Sequence, residues 1–66
     1  MIPVQSSNIA AIGYENNALV IVFRAGGAYM YHGVPENVFK HFLSAPSKGG
    51  FYMAFIKGKF ASTRVG

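Results

Sequence analysis

Sixty-six residues, 52% hydrophobic and only 12% charged, make one domain and exclude a disordered segment. A chain this short buries only about 60% of the surface that its unfolded form exposes. It has no cysteine, which excludes disulfides and thiolate metal sites. The net charge of +4 is unevenly placed. Arg24 and Lys40 balance Glu15 and Glu36 up to Pro46, whereas Lys48, Lys57, Lys59 and Arg64 follow with no acid among them. Such an end favours an anionic partner, although a solvated surface with a frayed basic tail accounts for it equally. Met1-Ile2-Pro3-Val4 lacks the basic start of a signal peptide, and no apolar run is long enough to span a bilayer. The expectation is a cytoplasmic protein without a membrane partner.

In chain order, residues 1–8 read as an irregular lead-in, with Ile2 and Val4 available to a sheet edge. Ile9 to Tyr14 is the first strand, with Ile12 and Tyr14 on one face and Ile9, Ala11 and Gly13 on the other. Gly13 suggests a bulge or a close backbone approach. Glu15-Asn16-Asn17 forms a turn, because asparagine tolerates positive φ. Ala18 to Arg24 is the second strand. Leu19, Ile21 and Phe23 share its inner face; Val20, Val22 and Arg24 share the outer one. A greasy outer face invites a second subunit, so Val20 and Val22 are candidate interface residues of a homodimer.

Ala25-Gly26-Gly27 is the second turn, and Tyr29-Met30-Tyr31-His32 the third strand. Tyr29 and Tyr31 lie on one side of it. They can stack bases, as in single-strand binders, or form the core beneath the helices. Val34-Pro35-Glu36 starts a helix, with proline at the first helical position and glutamate at the positive end of the dipole. Val38, Phe39, Phe42 and Leu43 form its buried stripe, and Pro46 ends it. Ser47 caps a second helix whose buried stripe is Phe51, Tyr52, Phe55 and Ile56. Gly58 stops that helix, Phe60 docks back, and residues 61–66 form a basic tail that frays. The expected core joins Leu19, Ile21, Phe23, Tyr31, Phe39, Phe42, Phe55 and Ile56.

The predicted fold class is α+β: a three-stranded antiparallel β-meander followed by two short α-helices packed on one face. Catalysis finds little support. Glu15 and Glu36 are the only carboxylates, His32 and His41 the only imidazoles, and the absence of aspartate removes a Ser–His–Asp triad. No catalytic residue, cofactor or metal is expected. Ser47-Lys48-Gly49-Gly50 lacks P-loop spacing, but a capped helix start beside a lysine reads as a phosphate cradle or as an ordinary cap.

The ordered motifs Ser6-Ser7-Asn8-Ile9, Gly13-Tyr14, Leu19-x-Ile21-x-Phe23, Gly27-x-Tyr29-x-Tyr31, Gly33-Val34-Pro35, Val38-Phe39, Ala45-x-Ser47-x-Gly49 and Phe51-Tyr52 resemble the KTSC domain family. That family is named for the C-terminus of some lysyl-tRNA synthetases and also occurs as small stand-alone bacterial or phage proteins. The chain departs from it at Met53, where similar members carry asparagine, and at the apolar Val20 and Val22. The resemblance implies a nucleic-acid-binding accessory module. Joined to the charge pattern, it gives a non-enzymatic binder of RNA or single-stranded DNA. Its candidate residues are Ser47, Lys48, Gly49, Lys57, Lys59, Arg64, Tyr29 and Tyr31. The alternative is a protein–protein interaction or homodimerisation module, phage- or prophage-encoded.

Overall fold

The computed structural model describes residues 1–66, and they form a five-stranded antiparallel sheet with strands in sequence order. The strands are β1 (Ile2–Pro3), β2 (Ile9–Glu15), β3 (Ala18–Phe23), β4 (Ala28–His32) and β5 (Ser62–Arg64). Between β4 and β5 lie α1 (Glu36–Ser44), the short α2 (Lys48–Phe51) and a π-helical turn over Tyr52–Ile56. No helix is long and apolar enough to cross a membrane.

The central meander β2–β3–β4 matches the expected one, and both hairpin turns have the predicted chemistry. Asn16 and Asn17 take φ of 52° and 63°, the left-handed pair that a two-residue hairpin loop requires. Gly26 and Gly27 take φ of 118° and 90° in the second turn.

Three strands become five because the chain ends join the sheet. Pro3 pairs with Ala11 and Ile2 with Ile12 on one side; Ser62, Thr63 and Arg64 pair with Tyr31, Met30 and Tyr29 on the other. The tail expected to fray is therefore laid along β4, continued by hydrogen bonds from Val65 N–H (2.8 Å) and Gly66 N–H (3.2 Å) to the Ala28 carbonyl. The reason is the backbone: without β5, β4 would present a row of unpaired N–H and C=O groups.

Directly opposed residues share a face, so the register sorts the sheet. Ile12, Ile21 and Tyr29 form one inner row, and Tyr14, Leu19 and Tyr31 the next. Gly13, Val20 and Met30 form an outer row, beside Ala11, Val22 and Ala28. The expected alternation along β2 fails at its start. The pairing shifts between Ile9 and Ala11, so Ile9 and Ile12 both turn inward and are fully buried. The bulge lies there rather than at Gly13. Gly13 instead admits a close approach, with the Met1 thioether in the space that a side chain would need.

The core joins Ile9, Ile12, Leu19, Ile21 and Tyr31 of the sheet to Val34, Phe42 and Ile56 of the helical half. Phe23 and Phe39 pack against its margin. Pro35 has extended ψ and sits just outside α1, where its carbonyl accepts from the Val38 and Phe39 N–H groups. Ala45 is extended before Pro46, which ends α1 as expected. The Ser47 hydroxyl accepts from the Gly50 N–H at 3.0 Å, the predicted cap.

The one failed core assignment is Phe55, which is 58% exposed. The Tyr52 carbonyl accepts from the N–H five residues on, at Lys57 (2.8 Å), so this turn holds an extra residue. Ile56 then falls beneath Tyr52 and into the core, and Phe55 is rotated out of the stripe.

Candidate nucleic-acid interface

Two segments far apart in sequence meet at one end of the sheet. Ile9 pairs with Phe23, and the Arg24 N–H donates to the Asn8 carbonyl at 2.8 Å, so the 5–8 loop lies beside the β3–β4 turn. Within the loop, the Ser6 hydroxyl accepts from the Asn8 and Ile9 N–H groups, both at 3.3 Å. The Arg24 side chain straps it from outside, donating Nε to the Ser6 carbonyl (2.7 Å) and Nη2 to the Val4 carbonyl (3.4 Å).

Between this loop, the start of α2 and the rings of Phe23, Tyr29 and Tyr52 lies a cleft of ≈ 420 Å³. Ser7, Asn8, Gly49 and Met53 border it and also a more polar hollow that runs on to Gln5 and Lys48. The aromatic side is interlocked: Phe23 meets Tyr29 edge-on at 6.0 Å and Tyr52 at 5.4 Å, and Tyr52 meets Tyr31 at 5.9 Å. The Tyr31 and Tyr52 hydroxyls stand 2.7 Å apart. Burial, and then the Tyr52 hydrogen bond, hold the Tyr31 phenol well above the ordinary tyrosine pKa, so it stays protonated.

The predicted site residues are only partly brought together. Tyr29 and Arg64 are: they pair across β4 and β5, and the guanidinium carbon lies 5.9 Å from the ring centroid, within cation–π range. Arg64 also donates Nε to the Gly66 carbonyl at 2.8 Å. Tyr31 is 5% exposed, so of its two readings the core one holds, and it offers no face for stacking. The Lys48 ammonium donates to the Ala45 carbonyl at 2.7 Å, where it ties the end of α1 to the start of α2. The Ser47 hydroxyl accepts from the Gly50 N–H, so the expected cap is made. Gly49 borders the cleft. Lys57 and Lys59 are exposed around a tight turn in which the Lys59 N–H bonds the Ile56 carbonyl (3.0 Å) and Gly58 takes φ of 76°. Val20 and Val22 are half-buried on the outer face.

Charge divides along the sheet. Glu15 stands at the hairpin end of β2, and Glu36 opens α1, 3.9 Å from Lys40. The start of α1 is fixed at that same end, since the Val34 N–H bonds the Asn17 carbonyl and the Tyr14 hydroxyl donates to the Val34 carbonyl (2.6 Å). Both side-chain carboxylates thus lie at the Asn16 end, opposite the cleft with Arg24 and Arg64. The histidines are apart: His32 contacts the Thr63 hydroxyl at 3.0 Å, and His41 lies on exposed α1 surface.

Sequence reasoning did not assign Ser7, Asn8, Phe23, Gly26, Tyr52 and Met53 to a site. Their juxtaposition follows from the β2–β3 register and the π-helical turn, neither of which has a local sequence mark. Ser6-Ser7-Asn8 beside Gly26-Gly27 was the available signal.

Residues 5–60 match the KTSC domain. A protein from Tsukamurella paurometabola is 40% identical over 98% of this chain and 100% of its own length. A lysine–tRNA ligase from Nostoc punctiforme is 41% identical over 85% of this chain, and the match spans only 10% of that ligase. The fold is similar to the crystal structure of a KTSC domain protein from Yersinia pestis, with a TM-score of 0.95 and 50% identity, covering 97% of this chain and 93% of that one. The chain belongs to the KTSC domain family.

Proposed function

We propose that this domain is a non-catalytic module that binds single-stranded nucleic acid at the cleft end of its sheet. The observation that carries the reading is the Arg64 guanidinium set over the Tyr29 ring, at the end of the molecule without side-chain carboxylates. A cation beside an aromatic surface serves a phosphate and a base together, and stacking tolerates any sequence because every base has a π-face. Lys57 and Lys59 are exposed on the segment that enters β5 opposite His32, so they extend the positive charge of that edge away from the cleft. The relatives named lysine–tRNA ligase carry a matching stretch in proteins named for a tRNA substrate, which favours RNA. Titration of isotopically labelled protein with short single-stranded RNA and DNA at low salt tests the reading. Shifts at Tyr29 and Arg64 support it, and an unchanged spectrum with both polymers overturns it.

A second reading has its own observation. The outer rows Ala11–Val22–Ala28 and Gly13–Val20–Met30 are apolar throughout and half-buried, with Met1 over Gly13 and Gly66 against Ala28. Self-association through this face would bury it, leaving the cleft on the opposite side of the sheet free.

A further inference from the structure

We propose that the cleft under the 5–8 loop accepts one unstacked nucleobase, with the Asn8 side-chain amide reading the base edge. The proposal rests on the nucleic-acid reading above and gives it a pocket.

The walls favour a flat ring. The cleft, ≈ 420 Å³, falls in the range of about 300–1,000 Å³ usual for small-molecule sites. Phe23 makes edge-on contacts with both Tyr29 and Tyr52, so the aromatic side exists before any ligand arrives. A base presented there replaces its lost stacking with aromatic contact.

Its rim holds unused polar groups on a fixed frame. The Asn8 backbone is fully engaged, donating to Ser6 and accepting from Arg24. Its side-chain amide has no partner within the chain, and neither has the Ser7 hydroxyl. A primary amide offers a donor and an acceptor side by side, the pair that matches the edge of a base. Asn8 Nδ2 lies 3.6 Å from the point where a Cβ on Gly49 would stand, so the amide is set against a gap that glycine keeps open.

The tyrosine pair adds a donor. Tyr31 is almost fully buried with Tyr52 as its hydroxyl partner. Both hydroxyls are satisfied when Tyr31 donates to Tyr52, leaving the Tyr52 proton for a carbonyl or ring nitrogen of the ligand. Arg64 beside Tyr29 then meets the attached phosphate.

The test uses the intact chain, the four ribonucleoside 5′-monophosphates and a mixed-sequence hexanucleotide RNA, read by amide shifts at low salt. The expected result is that both probes move Ser7, Asn8, Gly26 and Gly49, with unequal affinities among the four bases. Asn8→Ala should compress that inequality by about tenfold, the loss expected for one bidentate base contact. Gly49→Leu, which fills the gap from the helix side, should abolish mononucleotide binding. If the hexanucleotide moves Lys57, Lys59 and Arg64 but not Asn8 or Gly49, and Gly49→Leu binds it normally, the pocket is refuted and the binding reading stands. If mononucleotides enter the cleft while the hexanucleotide does not bind, the pocket stands and the nucleic-acid reading falls. Silence with every probe overturns both.

Discussion

The hydroxyl of Tyr31, the penultimate residue of β4, lies 2.7 Å from that of Tyr52, the first residue of the π-helical turn. This contact joins the sheet to the helical half behind Tyr52, which lines the cleft. It also explains the extra residue in the turn, which lets Tyr52 reach Tyr31 while Ile56, four residues on, still fills the core.

The buried phenol makes stability depend on alkaline pH. Tyr31 is raised above the ordinary value of 10.0, so the folded state holds its proton where the unfolded state has lost it. The stabilisation is complete below pH 10 and falls as pH rises towards the higher folded value, by up to about 1.4 kcal/mol per pH unit. Urea unfolding of the wild type and Tyr31→Phe between pH 9 and 11 should show this slope in the wild type alone. Parallel curves for the two proteins would exclude a buried, proton-retaining Tyr31.

Phe42 and Phe55 separate the core from its margin. Phe42 is fully buried, and its truncation to alanine should cost about 3–5 kcal/mol, a large share of the stability of so small a domain. Phe55 is 58% exposed and touches Phe51 at 4.8 Å, so Phe55→Ala should cost less than about 1 kcal/mol. Denaturant midpoints of the two variants decide the matter, and equal losses would restore Phe55 to the core.

Most of the architecture was legible where periodicity and turn chemistry agree. Leu19, Ile21 and Val20, Val22 alternate cleanly, the Asn16-Asn17 and Gly26-Gly27 turns announce themselves, and Pro46 and Ser47 mark the break between helices. What escaped lacks such marks. The irregular pairing before Ala11 falls in an Ala-Ala pair without conformational preference, yet it returns Ile9 to the core. The π-helical turn has no local mark, and its first residue meets Tyr31 across the fold. Ser62-Thr63-Arg64 looks polar enough to be a tail, and only the open edge of β4 makes it a strand. The candidate site was half legible for the same reason: residue chemistry picked Tyr29 and Arg64, while register alone brings Asn8 to the cleft that Tyr29 lines.

Self-association through the outer face predicts a concentration-dependent sedimentation coefficient that Val20→Lys abolishes without lowering stability. Val20 sits in the middle of the row Gly13–Val20–Met30, on the side away from the core. A wild type that sediments as a monomer at millimolar concentration would leave that face simply solvated.

Salt dependence distinguishes the cations that meet the strand from those that do not. Each phosphate contact with a single strand contributes about −0.7 to the log-log slope of affinity against salt. Four contacts from Lys48, Lys57, Lys59 and Arg64 would give about −3, but the Lys48 ammonium is held at the Ala45 carbonyl, at the junction of α1 and α2 rather than on the β5 edge. A strand bound along the β5 edge alone, by Lys57, Lys59 and Arg64, should give about −2. Arg64→Gln should flatten the slope by about 0.7 and weaken binding further by removing the cation over Tyr29. Lys48→Ala should leave the slope unchanged and lower stability instead, because it frees the link between α1 and α2. Measuring affinity for one oligonucleotide across a salt series, for the wild type and both variants, checks all three statements. A slope that drops with Lys48→Ala but not with Arg64→Gln would move the binding surface from the Arg64 edge to the start of α2.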